Sequence, residues 1–339
     1  MTHSRRDFLK LTGIGVSGLA LSACGDDSDG NNAGLVDNPN STLDVATART
    51  RVAPMLIDVP GGPGFDVKPL VSAGDEIPLL SGTFPKLTPS ASLTYGLAGD
   101  PDGMGFAEID GYYWVWLQHE VVGDSSDSDY RSTIFSRTIS GSVPGARISL
   151  LKFTKDWQLI GGMPLIREYK PTTILMQDDG ETPRVAAGSK ITIDTSAKTY
   201  LQEGYVSSDF CGGMLAESGF VNPLSGFVEP VWFANEENGG YSGVAWACFP
   251  DGVAYPLEGF GIFEKETTVS LRRHRPKDVG HNILVASEDN DDGRIYLWIG
   301  VPTATDPNGF VNGQMYAMKI AGAARESGPG RFDGVPAGD

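Results

Sequence analysis

A chain of 339 residues that carries 44 glycines and 22 prolines is interrupted too often for long helices. Beyond its first two dozen positions it shows no long apolar stripe of 3.6-residue period. What recurs instead are short runs rich in β-branched and aromatic residues, bounded by turn formers, which is the strand signal. Such runs are YYWVWLQHEVV (112–122), RISLLKF (147–153), KITIDT (190–195) and VEPVWFANEE (228–237). SGVAWACFPDGVAYPL (242–257) folds back on Pro-Asp-Gly and reads as a hairpin, and HNILVASEDNDDGRIYLWIG (281–300) reads as strand, acidic turn, strand. Many short strands at near-regular spacing predict an all-β sandwich, barrel or propeller. No exact internal repeat is present, so the number of blades is not legible.

The N-terminus is a separate object. Arg5-Arg6 followed by Asp7-Phe8-Leu9-Lys10 reads as a twin-arginine export signal, and the apolar run Leu11–Leu21 is too short to span a bilayer. The run ends Leu21-Ser22-Ala23-Cys24, which resembles a bacterial lipobox with Cys24 as the lipid-modified residue. Residues 1–23 are thus expected to be a signal peptide and 24–50, short of apolar residues and rich in Gly, Asp and Asn, a flexible tether. DDSDG within it has a calcium-like look and reads as solvated linker. Residues 51–339 form the expected globular domain, on a periplasmic or cell-surface lipoprotein held to a membrane by one lipid end.

The net charge is −17. The segment 1–23 contributes a net +2 (Arg5, Arg6 and Lys10 against Asp7), so a chain starting at Cys24 is near −19. Such a field repels nucleic acid and anionic lipid, and an anionic substrate would need a local positive centre such as bound cations.

The usual nucleophile and phosphate-loop motifs are missing, as are H-E-x-x-H and C-x-x-C. Four scattered histidines leave little for a His-rich zinc site, whereas abundant carboxylates suit hard cations. Acids cluster with turn residues in GDPDGMGFAEIDG (99–111), expected as a tight loop holding Asp100 and Asp102, and in QHE (118–120), which ends a strand. DFCGG (209–213), ANEENGG (234–240), GIFEKE (261–266) and SEDNDDG (287–293) complete the set, and each taken alone also reads as a solvated turn. SEDNDDG starts like an EF-hand loop but has Ile299 at its twelfth position from Glu288, so it fails that pattern. Cys211 has three readings: metal ligand, disulfide partner of Cys248, or small buried hydrophobe. LRRHRPK (271–277) is either a phosphate clamp or a solvated basic loop.

Taken in order, these stretches with LVSAGDEIPLL, SLLKFTKDWQLIGGMPLI and NGQMYAMKI resemble the PhoX-type alkaline phosphatase family, over about residues 68–320. The resemblance implies a six-bladed β-propeller, incomplete here, that hydrolyses small phosphate esters with iron and calcium. It implies that Cys211-Gly212-Gly213 supplies an iron ligand through Cys211, and that Glu236-Glu237-Asn238 supplies Glu237 ahead of Glu236. It further implies Glu266 as a calcium ligand through Gly261, Phe263 and Glu266, with Glu120 from Gln118-His119-Glu120 and Asp289 as further candidates.

The chain departs from the family pattern. MLAESGFVNPLSGFVEPVW (214–232) replaces a short Thr-Pro-Trp-Gly link, and the later arginine and acidic motifs have no match. The chain closes on AGAARESGPGRFDGVPAGD, read either as a loose tail or as a propeller lacking its C-terminal part. Two functions follow as expectations: an exported metal-dependent phosphoesterase, or a non-catalytic lipid-anchored propeller that binds a partner or cations.

Overall fold

The computed structural model describes residues 70–121, 145–176, 181–185, 189–205, 207, 209–237, 243–271, 280–289 and 293–318. The export signal, Cys24, the tether and LRRHRPK beyond Leu271 lie outside them. Among the described residues there are strands, turns and a single short 3-10 turn at Glu258–Phe260, with no α-helix.

The first sheet holds β1 (Glu76–Ser81), β2 (Thr88–Gly96), β3 (Pro101–Ile109), β4 (Tyr112–His119), β5 (Arg147–Phe153) and β6 (Leu159–Pro164) in the order β2-β1-β6-β5-β4-β3. β3 to β6 make an antiparallel meander, and a single parallel bridge at Leu79 and Gly162 adds the β1–β2 hairpin. β7 (Glu168–Tyr169), β10 (Ser189–Asp194) and β11 (Thr199–Glu203) extend the second sheet, while β8 (Thr172–Met176) and β9 (Pro183–Val185) pair separately. The body of the second sheet is a meander of β12 (Met214–Val221), β13 (Val228–Asn235), β14 (Ala245–Cys248) and β15 (Val253–Pro256). A third meander follows: β16 (Lys265–Ser270), β17 (Asn282–Glu288), β18 (Ile295–Gly300) and β19 (Gly313–Ala317).

The expected all-β class is therefore observed. Three four-stranded antiparallel meanders built from consecutive strands are the repeating unit of a propeller, and they do not close into a ring among the described residues. The first strands adjoin: β3 packs on β12, and β12 on β16.

Burial explains the strand sequences. β5 is buried along its whole length and reads as a continuous run, RISLLKF, whereas β10 alternates because one face meets solvent. Trp114, Trp116, Trp232 and Trp246 are fully buried and anchor the larger core. A second core gathers Phe220, Phe233, Phe249, Phe260, Phe263, Trp298 and Phe310 between the second and third meanders.

One expectation needs correcting. The stretch 99–111 is not a tight loop: Gly99 and Asp100 turn, Asp100 at φ +45°, Pro101–Ile109 is a strand paired with β4, and Asp110-Gly111 turn into β4. The glycines of β3 serve packing. A Cβ at Gly103 would lie 2.7 Å from the Gly213 nitrogen, and one at Gly105 2.8 Å from Leu215 Cβ, so bare backbone lets β3 lie against β12.

Phe220→Ala is expected to cost about 3–5 kcal/mol, because a fully buried ring leaves a cavity between Phe233 and Phe310. Leu224→Ser, at an exposed position on the same hairpin, is expected to shift stability by less than about 0.5 kcal/mol. Urea unfolding of the two variants checks the contrast.

Candidate functional site

Four strand ends meet at one side of the meanders. Glu120 follows β4, Glu237 follows the β13 end by two residues, Glu266 is the second residue of β16, and Asp289 follows β17. Cys211 lies in the segment that leads into β12, and its amide donates to the Asn235 carbonyl at 3.1 Å. These residues form two overlapping groups. One ligand atom each of Glu120, Cys211 and Glu237 lie within 4.8 Å of one another, and so do those of Glu237, Glu266 and Asp289. Glu237 belongs to both. Cys211 Sγ is also 3.5 Å from Glu266 Oε2.

Glu236 goes elsewhere. It is fully buried, and an isolated bridge with Phe210 turns it to the opposite side from Glu237. Tyr205 Oη donates to its Oε1 and Trp246 Nε1 to its Oε2 at 3.2 Å. The adjacent pair Glu236-Glu237 is thus divided between core and site by strand parity. The same parity divides Lys265 from Glu266. Lys265 is fully buried, donates to the carbonyls of Gly243 (2.6 Å) and Gly261 (2.8 Å), and sits 3.7 Å from the Phe263 ring centre.

Of Gln118-His119-Glu120, only Glu120 reaches the group. Gln118 Oε1 accepts from Trp232 Nε1 at 2.8 Å. His119 is fully buried, with Nδ1 2.8 Å from the Gly99 carbonyl and Nε2 2.7 Å from Ser149 Oγ. A carbonyl only accepts, so the proton is on Nδ1, and Ser149 donates to Nε2 while accepting from Tyr95 Oη. Burial pushes the His119 pKa down to about 3, which keeps it neutral. This buried chain fixes the Gly99–Asp100 turn, whose Asp100 carbonyl in turn holds the Glu120 amide at 2.9 Å.

The glycines after Cys211 have a steric role. A Cβ on Gly212 would lie 2.6 Å from the Glu266 carbonyl oxygen, and one on Gly213 2.4 Å from the Trp232 ring. Only glycine lets this segment wedge between β13 and β16. Asn235 seals it: its Nδ2 donates to the Gly212 carbonyl, and its Oδ1 accepts from Thr268 Oγ1 at 2.6 Å.

The site is densely anionic. Burial, then Asp102, Asp209, Glu266 and Asp100, push Glu120 up to about 7. Glu237 stands far above the usual carboxylate range through burial, a hydrogen bond to Asp289, and the charges of Asp289, Glu266 and Asp209. Asp102 and Asp209 are raised by burial as well, and Asp102 Oδ2 is buried without a hydrogen-bond partner. Among the described residues, no cationic side chain figures in the shifts of Glu120 or Glu237.

Asp209 was not singled out from the sequence, though it brackets the site. At φ +55° it donates its amide to the Val121 carbonyl (3.0 Å) and accepts the Glu237 amide (2.9 Å). An Asp directly before Phe-Cys-Gly-Gly was the available signal, since aspartate tolerates the left-handed region better than most residues. Asn235, which closes an aromatic strand, was not singled out either.

The cysteines differ from one expectation. Cys248 is a free, buried thiol whose pKa is raised by burial, so the Cys211–Cys248 bridge does not form and the small-hydrophobe reading fits it. Cys211 is itself disulfide-bonded. Its metal-binding form is the thiolate, with that bond open. A lipid thioether on Cys24 would leave Cys211 no sulfur to bond.

No protein-family model matches the chain, and no curated protein matches it. Among solved structures a match is Pseudomonas fluorescens PhoX in complex with vanadate, a transition state analogue, at TM-score 0.38 and 10% identity. It covers 66% of this chain and 46% of that one, so the chain spans less than half the length of the structure it matches. So loose a match transfers no residue roles.

Metal-free protein is expected to lose the stability that protonated Glu120 and Glu237 contribute as pH rises. Glu120 and Glu237 hold their protons to higher pH folded than unfolded, so the folded state binds more protons between the unfolded value near 4.5 and the folded values. Their contribution to stability therefore falls from about pH 4.5 through about 7 and beyond, while buried neutral His119 contributes a rise up to about pH 6.5 and buried Lys265 a rise at higher pH. Thermal unfolding in EDTA across pH 4–9 should show the Glu120→Gln and Glu237→Gln variants losing less stability than the parent as pH rises, and millimolar calcium should narrow the difference; identical profiles for parent and variants would contradict the geometry.

Proposed function

We propose that the protein is an exported, lipid-anchored metal-dependent hydrolase of phosphate esters. The observation that supports it most is the pair of overlapping groups sharing Glu237, built from residues that sequence order had marked as candidates. The donor sets differ in chemistry. Glu237, Glu266 and Asp289 offer carboxylate oxygens alone, which suits a hard cation such as calcium. Glu120, Cys211 and Glu237 add a sulfur that, as a thiolate once the Cys211 disulfide is open, suits a transition metal such as iron. The fit has a physical test in the residues themselves: crowded, half-buried carboxylates with raised pKa and an unpartnered Asp102 oxygen form a pocket that a cation would relieve.

Bound cations would supply charge neutralisation for phosphate oxygens and activation of an attacking water. The chain's own residues do the rest. Glu120, pushed up to about 7, can hold or release a proton near neutral pH. Asp100 and Asp209 fix the amides of Glu120 and Glu237. Gly212, Gly213 and Asn235 hold Cys211 at its distance from Glu266.

A second reading is a cation-binding scaffold without turnover. Among the described residues no cationic side chain figures in the shifts of Glu120 or Glu237, which favours it, since a phosphate there would depend on bound metal for attraction.

Protein exported by the twin-arginine route is expected to contain iron and calcium by elemental analysis and two free thiols by titration, with Cys24 lipidated. It should hydrolyse p-nitrophenyl phosphate. Cys211→Ala and Glu237→Gln are expected to lower turnover at least about 100-fold, the scale for removing a metal's ligand or its partner. Glu236→Gln should lower thermal stability and leave metal content unchanged. Metal-loaded protein without turnover would leave the scaffold reading standing, and metal-free protein would remove both.

A further inference from the structure

The turn between β12 and β13 has an unusual surface. Leu224 and Phe227 are each 72% exposed and Val228 is 58% exposed, so three large apolar side chains lie within five residues. Residues 223–228 carry no charge on a chain of net −17.

The turn is rigidly built. The Asn222 amide donates to the Phe227 carbonyl and the Gly226 amide to the Asn222 carbonyl, both at 2.8 Å, with Gly226 at φ +73°. Asn222 Oδ1 accepts the Leu224 amide at 2.8 Å. The nearest acid is turned back: Glu229 accepts from Asn222 Nδ2 and Ser225 Oγ, each at 2.8 Å. Apolar side chains are therefore presented on an ordered loop whose polar groups are satisfied internally, and burying them needs no further ordering.

We infer that this tip inserts into the neutral interfacial layer of the membrane that carries the lipid anchor. The inference rests on the Cys24 anchor and not on the metal chemistry. Residues 24–50, the expected tether, give a reach of at most roughly 90 Å at about 3.3 Å per residue, long enough for any face of the domain to meet the bilayer. Surface chemistry then selects the face. Acidic surface is repelled by anionic headgroups, and an uncharged Leu-Phe-Val tip favours the boundary between headgroups and acyl chains. The consequence for function is orientation. β12 begins beside Cys211-Gly212-Gly213 and β13 ends at Asn235, so the candidate site sits at the opposite end of this hairpin. Eight residues of strand hold the two about 25 Å apart. A docked tip thus points the site away from the lipid, toward soluble substrate.

The test uses the full-length protein recovered from membranes and reconstituted in phosphatidylcholine vesicles, labelled with an environment-sensitive fluorophore at Ser225→Cys or Gly293→Cys. The label at 225 is expected to shift to the blue and lose most of its emission to a lipid-borne quencher, while the label at 293 stays aqueous. Adding Leu224→Ser and Phe227→Ser should return the 225 label to water without changing thermal stability. Recovery of the protein in the soluble fraction would overturn the anchor and the inference together. Membrane-bound protein with an aqueous 225 label would overturn the tip alone, as would a 225 label shielded from water but untouched by the lipid quencher, which would indicate a second copy or another protein.

Discussion

Glu120, Glu237, Glu266 and Asp289 crowd one another at the strand ends, with Asp102 and Asp209 behind them, and among the described residues no cationic side chain figures in the shifts of Glu120 or Glu237. Like charges brought together and partly dried raise each other's pKa, and two exits exist: protonation or a cation. Everything nearby works to prevent a third exit, which is movement apart. The amides of Glu120, Glu237 and Asp289 are each held by a carbonyl from another segment, those of Asp100, Asp209 and Glu264. Side-chain repulsion is therefore opposed by backbone bonds within each meander, and between meanders by the Asp209 amide on the Val121 carbonyl and the Lys265 amide on the Glu236 carbonyl.

That arrangement depends on the alternation of strands more than on any one residue. At the end of β13, consecutive residues point to opposite sides, so Glu236 enters a buried network with Tyr205 and Trp246 while Glu237 faces the site. At the start of β16 the same rule sends Lys265 inward to carbonyls and the Phe263 ring, and Glu266 outward. A one-residue slip in either strand would bury the acid meant for the site and expose the group meant for the core. The buried polar members, each with partners, make such slips costly. Glu236 and Lys265 thus specify register whether or not they add stability.

Much of the fold was legible because strand signals are local. RISLLKF is β5 to the residue, and the Pro-Asp-Gly turn closes the β14–β15 hairpin. The stretch 99–111 misled because glycine has two uses. Its density suggested a turn, but Gly103 and Gly105 are there so that β3 can lie against β12. The site was legible as a set of short acidic stretches, since turns at strand ends keep their composition. Residue spacing alone could not say which of two adjacent acids faces the site, because that depends on where a strand stops; the order Glu237 ahead of Glu236 came from the family resemblance. Nor could spacing show that Cys248, paired across β14 with Trp232, points into the core while Cys211 does not share its space.

The electrostatics also order events at the site. A phosphate ester approaching the bare cluster would meet carboxylates from four strand ends, in a chain whose whole field is negative. Cations held by Glu120, Glu237, Glu266 and Asp289 would remove the local repulsion and, with it, displace the protons held by Glu120 and Glu237. Metal uptake, proton release and competence to receive an anion are then one coupled change, and metal affinity must rise with pH across the range where those two residues titrate. The scaffold built to hold repelling groups still is the feature that makes this coupling steep, because a looser site would relieve its repulsion by opening and leave nothing for a cation to gain.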